Sequence, residues 1–222
     1  MAGGEIIILL IGPTGSGKTS FAKYAGCKVV DRSRTTECRD YHTNVKGRDF
    51  WIIDTPGLDD LPAGNLAILK DLAQTLNKLG PLKVRGAIFF HRITDGRFGG
   101  SARTHLEIFK QICGQSFSHQ AVFVTTMWNK TGPGRSRYEA ISQELETKYF
   151  RLTPEYTKVL QFENDESSAQ KVLEFLAGAP AKGQLLLGDE VKRVGSSLSG
   201  VRKTSAGKAI TKASGSGGCV IL

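Results

Sequence analysis

No stretch of this sequence stays apolar long enough to cross a bilayer. Its longest purely aliphatic run is Ile6–Ile11, six residues, against about 20 for a spanning helix. Cysteine is scarce as well. The four present, Cys27, Cys38, Cys113 and Cys219, show neither paired nor C-x-x-C spacing. Neither a disulfide framework nor a zinc site is expected, and a reducing, cytosolic setting follows. The opening Met-Ala-Gly-Gly-Glu has no basic flank leading into an apolar stretch, which argues against a secretory signal. Alanine at the second position argues against myristoylation. Acidic residues are missing from one end, since none follows Glu190. Residues 181–222 hold seven basic side chains and two acidic ones, so this end carries +5 of a formal net charge of +9. A basic arm of this kind suits an anionic surface, either nucleic acid or lipid headgroups.

What is present is an ordinary globular mixture, 40% hydrophobic and 23% charged in 222 residues. That suffices for one domain, or one domain with an appendage, and is too apolar for a disordered chain. Strand-like and helix-like segments alternate. Residues 5–11 read as a buried strand that ends at a glycine-rich turn, with a helix over 18–26. Residues 37–44 and 48–54 flank Val45-Lys46-Gly47 as a hairpin. Residues 65–79 place Leu66, Leu69, Leu72, Ala73 and Leu76 at helical spacing before Gly80-Pro81. Further strands are expected at 84–90, 121–126 and 158–162, and further helices at 101–113, 137–150 and 167–177. The pattern implies an α/β fold: a mostly parallel six-stranded sheet with one antiparallel edge strand and helices on both faces.

Past Gly178-Ala179-Pro180 the character changes. Residues 195–218 hold six Gly and six Ser, too little apolar matter to bury. Leu187, Val191, Val194, Leu198 and Val201 step 4-3-4-3, which suits an amphipathic helix. Gly188, Gly195 and Gly200 weaken it by roughly 1 kcal/mol each. The expected division is a nucleotide-type domain over 1–180, then a tail over 181–222 that is partly helical and afterwards flexible.

Gly12-Pro13-Thr14-Gly15-Ser16-Gly17-Lys18-Thr19 matches G-x-x-x-x-G-K-[ST] in full, between an aliphatic strand and a helix. Glycines let backbone N–H groups converge on phosphate oxygens, and the helix N-terminus adds partial positive charge. Lys18 is expected to reach the β and γ phosphates, the Thr19 hydroxyl to bind Mg²⁺, and Ser20 to extend the site. A second block, Asp54-Thr55-Pro56-Gly57, ends the apolar run Phe50-Trp51-Ile52-Ile53. Asp54 can hold Mg²⁺, and the Gly57 N–H can meet the γ phosphate, so that this loop senses hydrolysis. The phosphate loop also occurs in small-molecule kinases, but no acceptor-site base or lid is evident here.

These blocks resemble the septin-like GTPases of the avirulence-induced and immune-associated nucleotide-binding type. GPTGSGKTSFAKYAG, WIIDTPGLDD, RGAIFFHRITDGRFGG and AVFVTTMW look most like the fungal branch of that group, over residues 5–178. The resemblance implies a P-loop fold, GTP and GDP as ligands, Mg²⁺ as cofactor, and a homodimer formed through the nucleotide face. It makes Thr35 the switch threonine on Mg²⁺, with Thr36 close behind. It also makes Arg97 an arginine supplied across the dimer, worth roughly 10³–10⁵ in rate, with Arg92 the second candidate. The position after Gly57, where related enzymes carry a water-orienting glutamine, is Leu58, so intrinsic hydrolysis is expected to be slow.

Base reading is where the pattern departs. Thr126-Met127-Trp128-Asn129 puts asparagine where a carboxylate belongs, and reading Asn129-Lys130 as the start of N-K-x-D puts Gly132 there. The acid is missing either way, so guanine discrimination should weaken by about 1–3 kcal/mol. Asn164 lies in the group's later base-contacting segment. The final Cys219-Val220-Ile221-Leu222 reads as a geranylgeranyl-type C-a-a-X sequence. Lys203, Lys208 and Lys212 would supply the second, electrostatic attachment that one lipid chain needs. Nucleic-acid-reading motifs are absent, so a membrane's cytosolic face is the expected partner.

Overall fold

The computed structural model describes residues 5–28, 37–59, 62–79, 84–95, 98–128, 134–150 and 158–215. Its elements are β1 (Ile6–Ile11), α1 (Lys18–Tyr24), β2 (Arg39–Val45), β3 (Arg48–Asp54), α2 (Pro62–Lys78), β4 (Val84–Arg92), α3 (Gly100–Cys113), β5 (Ala121–Thr126), α4 (Arg135–Glu144), β6 (Val159–Gln161), α5 (Glu166–Gly178), α6 (Leu186–Val194), α7 (Leu198–Lys203) and α8 (Ser205–Gly215). The strands form one sheet in the order β2-β3-β1-β4-β5-β6, parallel except for the β2–β3 edge pair. This is the α/β architecture that the alternating pattern implies.

The aliphatic β1 lies inside the sheet because both of its faces are covered. Ile7, Leu9 and Ile11 point into one apolar cluster with α2 and α3, while Ile8 and Leu10 point into the other with α1 and α5. The hairpin turn is one residue tighter than the sequence suggests. Val45 pairs with Arg48, which leaves Lys46 (φ 51°) and Gly47 (φ 77°) as a two-residue turn of the kind that matches strand twist. The expected helix over 137–150 is also modified. After Glu144 it widens into one π turn, Leu145–Tyr149, closed by the Phe150 N–H donating to the Leu145 carbonyl at 2.8 Å. Phe150 is thereby turned into the core, stacked on Phe123 with centroids 4.8 Å apart.

The tail departs most from expectation. Residues 186–215 are not a partial helix with a flexible arm but three helices laid against α2 and α3. Leu187, Val191, Val201, Ala206 and Ile210 are buried in the same cluster as β1, so the composition change near residue 180 is not a boundary in packing. The 4-3-4-3 series breaks at Gly195 (φ 81°), and Val194 and Leu198 at that break stay exposed. Composition misled here because the small residues serve close approach. A Cβ on Gly207 would stand 2.1 Å from the Val201 carbonyl oxygen. Glu190 on α6 ties the layer together by accepting the Ser205 N–H and hydroxyl at the start of α8. Gly207→Ala is therefore expected to cost about 1–3 kcal/mol, the range for overpacking, read as a lower urea midpoint with unchanged slope.

Candidate functional site

The carboxyl ends of β1, β3, β4 and β5 meet where the chain leaves β1 for α1. Lys18 curls back over the loop it follows, and its Nζ donates to the carbonyls of Gly12 and Pro13, both at 3.0 Å. Burial pulls its pKa down from 10.5 to about 8, and the Asp54 carboxylate offsets part of that. One residue on, the Thr19 hydroxyl donates to Asp54 Oδ2 at 2.7 Å. Asp54 is the last residue of β3 and fully buried, paired in register with Leu10. The loop is held from the far side as well, since the Thr126 hydroxyl donates to the Ser16 carbonyl at 2.9 Å. Ser20 is exposed on the first turn of α1.

The segment after Asp54 lies directly on this loop. The Leu58 N–H donates to the Gly12 carbonyl at 3.0 Å, and the Thr14 N–H donates to the Leu58 carbonyl at 3.1 Å. Gly57 sits so close that a Cβ there would stand 2.4 Å from Thr14 Cα. Only glycine fits that position. Leu58 itself is buried in the α2–α3 side of the core, which is why no polar side chain stands there. The next residue is pinned too: the Asp59 carbonyl accepts from Asn65 Nδ2 at 2.8 Å and lies 2.9 Å from His105 Nε2.

Of the two arginine candidates, Arg97 lies outside the described residues, and so do Thr35, Thr36, Asn129 and Cys219. Arg92 ends β4 beside the loop. Its Nη1 lies 3.5 Å from where a Cβ on Gly15 would be, and its Nε donates to the Asp95 carboxylate at 3.1 Å.

Where a base would be read, Asn164 is exposed and left-handed (φ 55°) between β6 and α5. Sequence reasoning misses the group beside it. Arg135 of α4 lies over the Trp128 ring at 4.8 Å and donates to Glu163 at 2.8 Å. The Trp128 indole N–H is turned inward to the Thr125 carbonyl at 3.1 Å, and the ring is buried. Nothing local in the sequence links Arg135 to Glu163, 28 positions away. The adjoining Phe162-Glu163-Asn164 is the available signal, and of its three residues only the asparagine suggests base contact by itself.

Chemically the arrangement offers an ammonium laid over a glycine-rich loop and two hard oxygens side by side. The oxygens of Thr19 and Asp54 suit a small divalent cation such as Mg²⁺ better than a soft metal. No family model matches the sequence, and neither does any curated protein. Solved structures match its shape. Toc33 from Arabidopsis thaliana in complex with GDP and Mg²⁺ aligns with a TM-score of 0.64 at 18% identity, covering 83% of this chain and 88% of that one. The same protein with Mg²⁺ and GMPPNP aligns at 0.61 and 17%, covering 78% and 83%. Era, in complex with MgGDPNP and a piece of 16S ribosomal RNA, aligns at 0.57 and 17%, covering 79% of this chain and 57% of Era. At such identities the likeness shows that the fold is that of these nucleotide-binding proteins.

Proposed function

We propose that the chain is a guanine-nucleotide-binding switch that hydrolyses GTP slowly to GDP and phosphate. The observation that carries this reading is the contact of Gly57 and Leu58 with the loop that precedes Lys18. A segment seated there must rearrange for its Gly57 N–H to meet a third phosphate. Thr19 and Asp54 would hold Mg²⁺, with Thr35 as the third protein oxygen. That ion supplies charge neutralisation at the β and γ oxygens. Lys18 holds the same phosphates by a charged hydrogen bond, and the loop amides orient them.

Hydrolysis is slow in this reading because Leu58 is buried and can orient no water. An arginine must then supply the stabilising charge. Arg92 stands at the loop within its own chain, whereas Arg97 would come from a second copy. The crystal structures of Toc33 include a dimerization-deficient variant, and dimerization is described as important for GTPase activity of Toc33 and Toc159. If the same holds here, phosphate release per molecule rises with protein concentration and Arg97→Ala removes the rise. Arg92→Ala would instead lower release at every concentration.

Affinities for GTP, GDP, ATP and XTP, measured by calorimetry with Mg²⁺, test the base reading. GTP and GDP should bind, with ATP weaker by less than is usual for a chain carrying the acid. Absence of any purine nucleotide binding overturns the proposal. A second reading, a nucleotide-dependent scaffold with negligible turnover, is favoured by the burial of Leu58. It is adopted if phosphate release stays at background across protein concentrations. Attachment to the cytosolic face of a membrane through a prenylated Cys219 completes the proposal. An unmodified thiol with Leu222 intact, found by mass spectrometry of the native protein, removes that part.

A further inference from the structure

We infer that the exposed side of the α6–α8 layer is a docking surface for anionic lipid headgroups. The inference shares the membrane with the reading above but requires neither nucleotide nor lipidation of Cys219. Because 186–215 is folded, its charges are fixed in place and do not trail on an arm. Lys192, Arg193, Arg202, Lys203, Lys208 and Lys212 are all exposed, while the residues between them that face α2 and α3 are buried. The layer therefore turns its apolar side inward and its cations outward. No acid occurs among residues 191–215. These six cations exceed the charge of the rest of the chain, which amounts to +3 of the net +9.

Asp189 and Glu190 are the only acids in the sequence of α6–α8. Glu190 is turned inward to the Ser205 N–H and hydroxyl, and Asp189 lies 4.0 Å from Lys192. Among the cations sit Val194 and Leu198, 37% and 41% exposed, at the α6–α7 turn. Exposed aliphatic side chains set among lysines and arginines match the interfacial region of a bilayer, which accepts both. A phosphate-only partner such as RNA would have no use for the aliphatic pair, and these helices carry no aromatic side chain to stack on bases. Charge complementarity and the apolar pair together favour lipid.

The test uses the full chain with Cys219→Ser, so that no prenyl group contributes. It is sedimented with vesicles of phosphatidylcholine alone and with vesicles of equimolar phosphatidylserine and phosphatidylcholine. Binding is expected to the second and not the first, and to vanish in high salt, where screening shortens from about 10 Å to about 3 Å. Reversing Arg202, Lys203, Lys208 and Lys212 to Glu should abolish it, at about fivefold per cation at the surface. Leu198→Ser should weaken it. These side chains are exposed, so an unchanged melting temperature confirms that the variants fold. Equal binding to both vesicles, or full binding by the reversed variant, overturns the inference. Displacement from serine-containing vesicles by a structured RNA at lower concentration than by dispersed anionic lipid assigns the surface to nucleic acid and overturns it too. Prenylated protein that binds equally with and without the charge reversal would keep the lipid anchor and remove this surface. Vesicle binding by the unlipidated protein keeps this surface, whether or not Cys219 carries a prenyl group.

Discussion

Lys18→Met is expected to lower GTP affinity by roughly 10²–10³-fold, the loss of charged hydrogen bonds to two phosphates. The nucleotide-free variant should melt no lower than the native protein, and higher to the extent that the buried charge is destabilising. The reason lies in what the site does to this ammonium before any ligand arrives. Two carbonyls hold it, yet burial lowers its pKa to about 8, a cost of about 3 kcal/mol for the charged form. A polyphosphate removes that cost, because its negative charge favours the protonated amine.

The sign for folding runs the other way. Lys18 has a pKa of about 8 in the folded chain against 10.5 unfolded, so the unfolded chain binds more protons between those values. This residue's contribution to stability therefore rises as pH climbs from about 8 to 10.5, and its penalty is complete below pH 8. Nucleotide affinity falls over the same interval, since binding must then take up a proton. Calorimetry in buffers of different ionisation enthalpy should show that uptake in the native protein and lose it in Lys18→Met.

Gly57→Ala is expected to retain GDP binding while lowering phosphate release by at least about tenfold, the order of one lost transition-state hydrogen bond. Its methyl group would enter the space held by Thr14 Cα, N and Oγ1, 2.4 to 2.5 Å away. Backbone cannot yield as a flexible side chain does, so the whole segment must lift off the loop. Lifting it breaks two hydrogen bonds, from the Leu58 N–H to the Gly12 carbonyl and from the Thr14 N–H to the Leu58 carbonyl. Lys18, Thr19 and Asp54 are untouched by the change. A variant with wild-type GDP affinity and wild-type phosphate release would show that this seating has no part in turnover.

Much of this is legible in the sequence because local patterns carry it. The period-two division of β1 between two faces, the loop before Lys18 and the glycine after Asp54 each follow from spacing over a few residues. The mostly parallel sheet with one antiparallel edge pair follows once helices of that length separate the strands, whereas the strand order is read from the structure. What escapes depends on distant partners. The tail looks too small and polar to pack, yet Gly200 and Gly207 admit neighbouring backbone where larger residues could not. Glu163 looks incidental until Arg135 crosses from α4 to meet it. The π turn that delivers Phe150 has no sequence signature, because the extra residue is forced by core shape and not by propensity.

Leu58 joins two systems that are usually separate. It completes the backbone pairing with the phosphate loop, and its side chain is buried in the same apolar cluster as the α2 and α3 leucines. The segment cannot swing without stripping that side chain from its neighbours, a cost of about 1.5–3 kcal/mol. The hinge thus carries a detent: a weak tug on Gly57 is absorbed, and only a ligand that grips it harder than the core does can trip the mechanism.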